Sequence, residues 1–168
     1  MLCRLSYSSI GRTMIRACIT LRPTIAAALV ALAACRPAPP VEGLPRGTLV
    51  IEGTSGEVRV EVSIAETQEA TSRGLMGVEA MDPDVGMVFL QEDPARTSFW
   101  MKDTLIPLSI AFWGPDRRIA TILDMEPCRT DTCPTYDPEV EWVGALEVNQ
   151  GFFEERGIEE GAPVRLER

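Results

Sequence analysis

The chain has 168 residues, 45% of them apolar, with 13 glycines, 13 prolines and a formal net charge of −9. That balance fits one globular domain with a core of its own and excludes a disordered or fibrous chain. It contains no histidine, which excludes Ser-His-Asp and Cys-His catalysis, histidine-bound zinc or copper, and a histidine proton shuttle. The first predicted element lies within residues 1–34, which carry Arg4, Arg12, Arg16 and Arg22 and no acidic residue, and which close on the apolar run Thr24 to Ala34, TIAAALVALAA. A basic n-region, a short apolar h-region and small residues at its end predict a secretory signal peptide over 1–34, too short to span a bilayer. Met14 serves as a start for this leader as well as Met1 does.

At the end of that run, Leu32-Ala33-Ala34-Cys35 resembles a bacterial lipobox. The resemblance implies that Cys35 becomes the first mature residue, carrying a thioether-linked diacylglycerol and an amide-linked acyl chain, enough for stable membrane anchoring. Arg36 follows, where an aspartate would resemble an inner-membrane retention signal, so in a Gram-negative cell the expected location is the periplasmic face of the outer membrane. Residues 36–47, RPAPPVEGLPRG, hold four prolines; with Cys35 they predict a stiff tether over 35–47, ahead of a single domain over 48–168. Loss of the leader leaves 12 basic against 25 acidic residues, a net charge of −13. A domain so acidic repels nucleic acid and anionic lipid.

Only Cys128 and Cys133 remain beyond Cys35. In an oxidising envelope a pair this close predicts a disulfide across a loop. A redox dithiol has two intervening residues rather than four, and a zinc site needs further soft ligands. No metal site or cofactor is expected.

Strand patterns dominate the domain. TLVIEG (48–53) and EVRVEVSI (57–64) flank the turn Thr54-Ser55-Gly56, and the second run alternates Val58, Val60, Val62 and Ile64 with polar residues, as a half-buried hairpin does. Thr67 is placed to N-cap a short helix, QEATSR, which Gly74 ends. GMVFL (86–90), Phe99–Lys102, Leu108–Trp113, Arg118–Met125, Trp142–Val148 and Ala162–Leu166 read as further strands. Asn149 is read as the cap of a helical turn, GFFEER, closed by Gly157, with Ile158 meeting Phe153. About eight short strands, two short helices and no βαβ rhythm predict a mainly β, β-rich α+β domain, either a small antiparallel barrel or a rolled sheet.

The words RGLM (73–76), GMVF (86–89), SFWMKDTLIPL (98–108), PC…CPTY (127–136), LEVNQG (146–151) and GIEEG (157–161) occur in the order and spacing of a known family. Over about residues 48–167 the chain resembles the family called domain of unknown function 192. The resemblance implies a small mainly-β domain, often behind a leader or lipid anchor, and implies no known reaction. Asp103 stands where Asn is usual in that family, and Ser109 where Asp is usual.

Several residues carry the candidate chemistry. Alternation on each side of a break at Pro107, with the two runs paired in the simplest way, buries Phe99, Met101, Leu108, Ile110 and Phe112 together and sets Trp100, Lys102, Ser109 and Trp113 on the opposite face. Two tryptophans beside a lysine suit a sugar ring or a carboxylated ligand; equally, they cover a second small core while Lys102 snorkels to water. Loop 103–107, DTLIP, either tucks its Leu105 and Ile106 under the domain or presents them to a partner. Arg73 is read as pairing with Glu147 or binding an anion. Asp103 and Glu147 are the carboxylates available for general acid–base work, as in glycoside hydrolysis. The ligand-binding set is therefore Arg73, Trp100, Lys102 and Asp103, and the expected role is binding an envelope glycan, small molecule or protein partner; the alternative is a histidine-free glycan hydrolase using Asp103 and Glu147.

Overall fold

The computed structural model describes residues 41–168; the leader, Cys35 and residues 36–40 of the tether lie outside them. The elements in order are β1 (Arg46–Gly53), β2 (Gly56–Ala65), α1 (Gln68–Arg73), β3 (Val85–Ala95), β4 (Phe99–Trp100), β5 (Leu108–Trp113), β6 (Ile119–Met125), β7 (Thr135–Tyr136), β8 (Trp142–Asn149), α2 (Phe152–Glu155) and β9 (Val164–Glu167). Seven strands form one sheet in the order β6-β5-β8-β3-β2-β1-β9, and β4 and β7 form a separate two-stranded ribbon. The mainly β architecture follows the expectation. Of the two forms anticipated it is the rolled sheet, and it is mixed because β2 and β3 run parallel across the α1 crossover. The sheet's two edges meet where Ile119 N–H donates to Ala162 O and Val164 N–H donates to Arg117 O, both at 2.9 Å, and Gly161 N–H donates to Ile119 O at 2.7 Å.

Period-two alternation divides the strands into two cores. Val60, Val62, Ile64, Val88, Ala111, Trp113, Leu146 and Val148 point inside the roll, where Phe152 and Phe153 of α2 join them. The ring of Trp113 lies on Gly144, whose Cβ, if it had one, would fall 2.2 Å from the indole. Met87, Phe89, Leu108, Ile110, Phe112 and Ala145 point outward into a second core, roofed by Val41, Ala70, Leu75, Met101 and Cys128. A β-sheet apolar on both faces needs a cover on its outer side, and the segments between strands supply it.

The local signals read from sequence reappear at both helices. Thr67 Oγ1 accepts from Ala70 N–H at 3.2 Å, and Gly74 (φ 49) ends α1. After α2, Ile158 N–H donates to Phe153 O at 2.9 Å and Gly157 N–H to Glu154 O at 3.1 Å, the paired bonds of a Schellman ending. The start of α2 differs: Gly151 (φ 85) occupies the cap position. Asn149 stays in β8 and donates from Nδ2 to Met81 O and Asp82 O, at 3.0 and 3.3 Å. The domain also begins earlier than residue 48. Val41 is buried and bonds through both its backbone groups to Ser63 Oγ, and Pro45 O accepts from Ile64 N–H, so the second half of the proline-rich segment is packed against the sheet.

Candidate functional site

The stretch 98–113 does not keep one alternation. β4 leaves the main sheet to pair with β7, Phe99 opposite Tyr136 and Trp100 opposite Thr135. Residues 101–107 then bend back into β5. Phe99, Met101, Leu108, Ile110 and Phe112 do share the outer core, as expected. Trp100, Lys102, Ser109 and Trp113 do not share a surface, because the strand is broken between them: Trp113 is buried inside the roll, while Trp100 is 51% exposed, the exposed large hydrophobic among the described residues. Ile106 packs against the outer core, so the apolar loop tucks under.

Trp100 stands on a braced platform. Its neighbour Phe99 anchors the ribbon by edge contacts to Phe89 and Phe112, with ring centroids 5.0 and 5.4 Å apart. Cys128 and Cys133 form the expected disulfide, their Cα atoms 5.9 Å apart. Lys102 Nζ donates to Thr130 O at 3.1 Å and to Asp131 Oδ1 at 3.2 Å, so its ammonium ties β4's continuation to the disulfide loop. Burying the aliphatic stem while the charge reaches the loop is the snorkelling alternative, with protein acceptors in place of some water. Asp103 N–H donates to Cys128 O at 2.9 Å, and Asp103 O accepts from Gly77 N–H at 3.0 Å. Asp103 is exposed with φ 54. Asn and Asp are the residues that best tolerate this left-handed geometry, so the backbone here suits either.

Ser109 sits opposite Asp124 in the β5–β6 ladder. Its hydroxyl lies 2.5 Å from Asp124 Oδ1 and accepts from Gly151 N–H at 3.0 Å. The serine therefore fixes the entrance of α2, with a carboxylate held one strand away. Sequence reasoning missed Asp124; the signal was the loss of an acid at 109 together with an acid in the neighbouring strand.

Glu147 faces the outer core from the middle of the sheet, with Met87 opposite on β3 and Ile110 opposite on β5. It is 4% exposed. Burial among apolar side chains pushes its carboxyl up to about 8. The expected Arg73–Glu147 pair is absent: no ion pair joins them, burial alone moves the Glu147 carboxyl, and Arg73 is exposed at the end of α1. Arg73 instead lines a surface groove with Val41, Glu42, Met76 and Glu79. A larger groove, about 1280 Å³, lies at the open end of the roll beside Phe89, Leu90, Trp113, Trp142 and Leu166. Asp103 and Glu147 line neither groove. The predicted site residues thus divide three ways: Trp100, Lys102 and Asp103 on one braced surface, Arg73 on another groove, and Glu147 beneath the cover.

No curated protein matches the chain. Among solved structures it is similar to a protein of unknown function from Novosphingobium aromaticivorans DSM 12444, at 33% identity and a TM-score of 0.70, covering 79% of this chain and 94% of that one. It is also similar to a transcription-regulator candidate from Sinorhizobium meliloti 1021, at 26% identity and a TM-score of 0.67, covering 73% of this chain and 95% of that one. The family described as uncharacterized ACR matches residues 50–166, taking in the RGLM, WMKD and LEVNQG words and the whole sheet apart from the first half of β1 and the last residue of β9; the chain belongs to the domain of unknown function 192 family.

Proposed function

We propose that this protein is a non-catalytic binding domain of the cell envelope, lipid-anchored through Cys35, that engages its ligand through Trp100. One observation carries the reading. A tryptophan 51% exposed is held on a ribbon fixed from three sides, by Phe99, by the disulfide and by Lys102. Large aromatics are normally buried, and an exposed, rigid one offers contact area with little loss of conformational entropy on binding. The ligand such a residue takes presents a flat apolar surface, either the face of a saccharide ring or an apolar side chain of a protein. Lys102 positions this platform, being committed to Thr130 and Asp131.

The hydrolase alternative draws less support from the geometry than the binding reading does. Glu147 lies under the cover, and neither groove contains it or Asp103; a glycosidic oxygen between two carboxylates needs an open cleft. The test is retention of the tethered domain on isolated cell-wall glycan and, separately, on immobilised envelope proteins. Trp100→Ala should abolish retention on one of these while circular dichroism stays unchanged, and Cys35→Ala should release the protein from membranes. Equal retention of wild type and Trp100→Ala on both supports overturns the reading.

A further inference from the structure

Glu147 lies on the sheet face that carries the outer core, between Met87 of β3 and Ile110 of β5. Two of the segments over that core, residues 74–84 and 101–107, are joined by the Gly77 N–H to Asp103 O bond. The first segment is also tied to β8 two residues beyond Glu147, by Asn149 to Met81 and Asp82. Among the described residues, no hydrogen bond or ion pair reaches the Glu147 carboxyl. Its oxygens are nevertheless not sealed, since no fully enclosed side-chain oxygen among those residues lacks a partner; the residual exposed surface is a path for a proton.

Nothing around the carboxyl stabilises its charge. From β3 it meets Met87 and Phe89, from β5 Leu108 and Ile110, and from its own strand Ala145 and Asn149, none of them titratable. The charged groups of the covering segments are Arg73 at the end of α1, Glu79, Asp82 and Asp84 after it, Lys102 and Asp103 before β5, Glu42 ahead of β1, and Glu126, Arg129 and Asp131 around the disulfide. Lys102 is held by Asp131, and Asp84 by Arg156. None of these groups offsets the desolvation of Glu147, whose only perturbation is burial.

We infer that Glu147 is a proton-controlled latch: the cover formed by residues 74–84 and 101–107 is closed over a protonated carboxyl and releases when the proton passes to water. An ionised carboxylate in an apolar site without a partner is expelled toward solvent, and the segments above it are the irregular part of the fold, held to the sheet by few backbone bonds. Release would uncover Met87 and Met101 and slacken the Asp103–Cys128 contact under the Trp100 platform.

Amide hydrogen exchange at pH 6 and pH 8.5, corrected for intrinsic exchange rates, tests this on wild type and Glu147→Gln. If opening restores the ordinary carboxylate value of 4.5 from about 8, the opening equilibrium rises about 70-fold between those two pH values. The expected result is that protection falls in 74–84 and 101–107 of the wild type by tenfold or more, remains in β1 and β2, and is insensitive to pH in the variant. The same fall in both proteins, or a fall shared by β1 and β2, overturns the latch. A carbon-13 titration of the Glu147 carboxyl in the wild type needs no variant; an inflection at the ordinary value of 4.5 also overturns it.

Discussion

Replacing Glu147 with Gln keeps the size of the side chain and removes its titration, so the two proteins should diverge in global stability as the pH rises. The folded carboxyl holds its proton up to about 8, against 4.5 when the chain is unfolded. A folded value above the unfolded one gives stability that is fully present below about pH 4.5, declines as the pH climbs toward 8, and levels off beyond it. At about 1.4 kcal/mol for each tenfold change in proton affinity, the whole span is worth roughly 5 kcal/mol, most of it developing between pH 5 and pH 8. Against a total stability of about 5–15 kcal/mol for a domain, that is a large fraction. Urea unfolding of both proteins at pH 5 and pH 8 isolates the residue, because every other titrating group contributes equally to each. The stability difference, variant minus wild type, should grow by roughly 3 kcal/mol or more in the variant's favour from the lower pH to the higher. A difference that stays constant within about 1 kcal/mol would refute the claim that Glu147 is buried as a neutral acid.

Two further substitutions test the packing. Gly144→Ala places a methyl 2.2 Å from the Trp113 ring; with backbone beneath and core behind, the indole has to leave its position, and a loss of about 3 kcal/mol should accompany a changed near-ultraviolet dichroism signal. Unchanged stability and spectrum would show that the indole is free to move. Converting both Cys128 and Cys133 to Ser opens a six-residue ring, which in the chain-entropy model removes about 2 kcal/mol. A drop of several degrees in Tm is expected, matched by reduction of the wild type and absent when the double variant is reduced.

What was legible in the sequence was whatever depends on neighbours along the chain. The alternation in 57–64, the Thr67 cap and the Phe153–Ile158 ending each involve residues within a few positions, and each reappears in the fold. The disulfide was legible for the same reason, its cysteines being five positions apart. Alternation failed where a strand changed partner. Nothing between Trp100 and Ser109 announces that β4 pairs with β7 while β5 pairs with β6 and β8, and only that switch separates Trp100 from Trp113. Asn149 misled because its side chain suits both a helix cap and a loop carbonyl, and the choice is made by Met81, 68 positions away. Glu147 was visible as an acid inside an apolar word, LEVNQG, yet its isolation from Arg73 depends on three-dimensional packing that spacing does not encode.

Asp103 and Ser109, the two departures from the family pattern, lead to the last prediction. At 103 the demand is conformational, a left-handed backbone, and Asp meets it as Asn does. At 109 the usual Asp has become Ser, yet a carboxylate remains in the site, on Asp124 across the ladder, and the hydroxyl still accepts from Gly151 N–H. The arrangement here is one acceptor at the entrance of α2 and one donor–acceptor pair across the strands. Ser109→Asp alone would set two carboxylates against each other where a 2.5 Å hydrogen bond now stands, a like-charge pair beside a buried strand, and should destabilise the domain by about 2 kcal/mol or more. Adding Asp124→Ser exchanges the two groups and should recover most of that loss, giving a coupling of about 1–3 kcal/mol in the double-mutant cycle. Losses that simply add would mean that the two positions do not share one hydrogen bond. Recovery would identify the family's acid at 109 as a strand-to-helix fastening, leaving no catalytic carboxylate to be missed at that position.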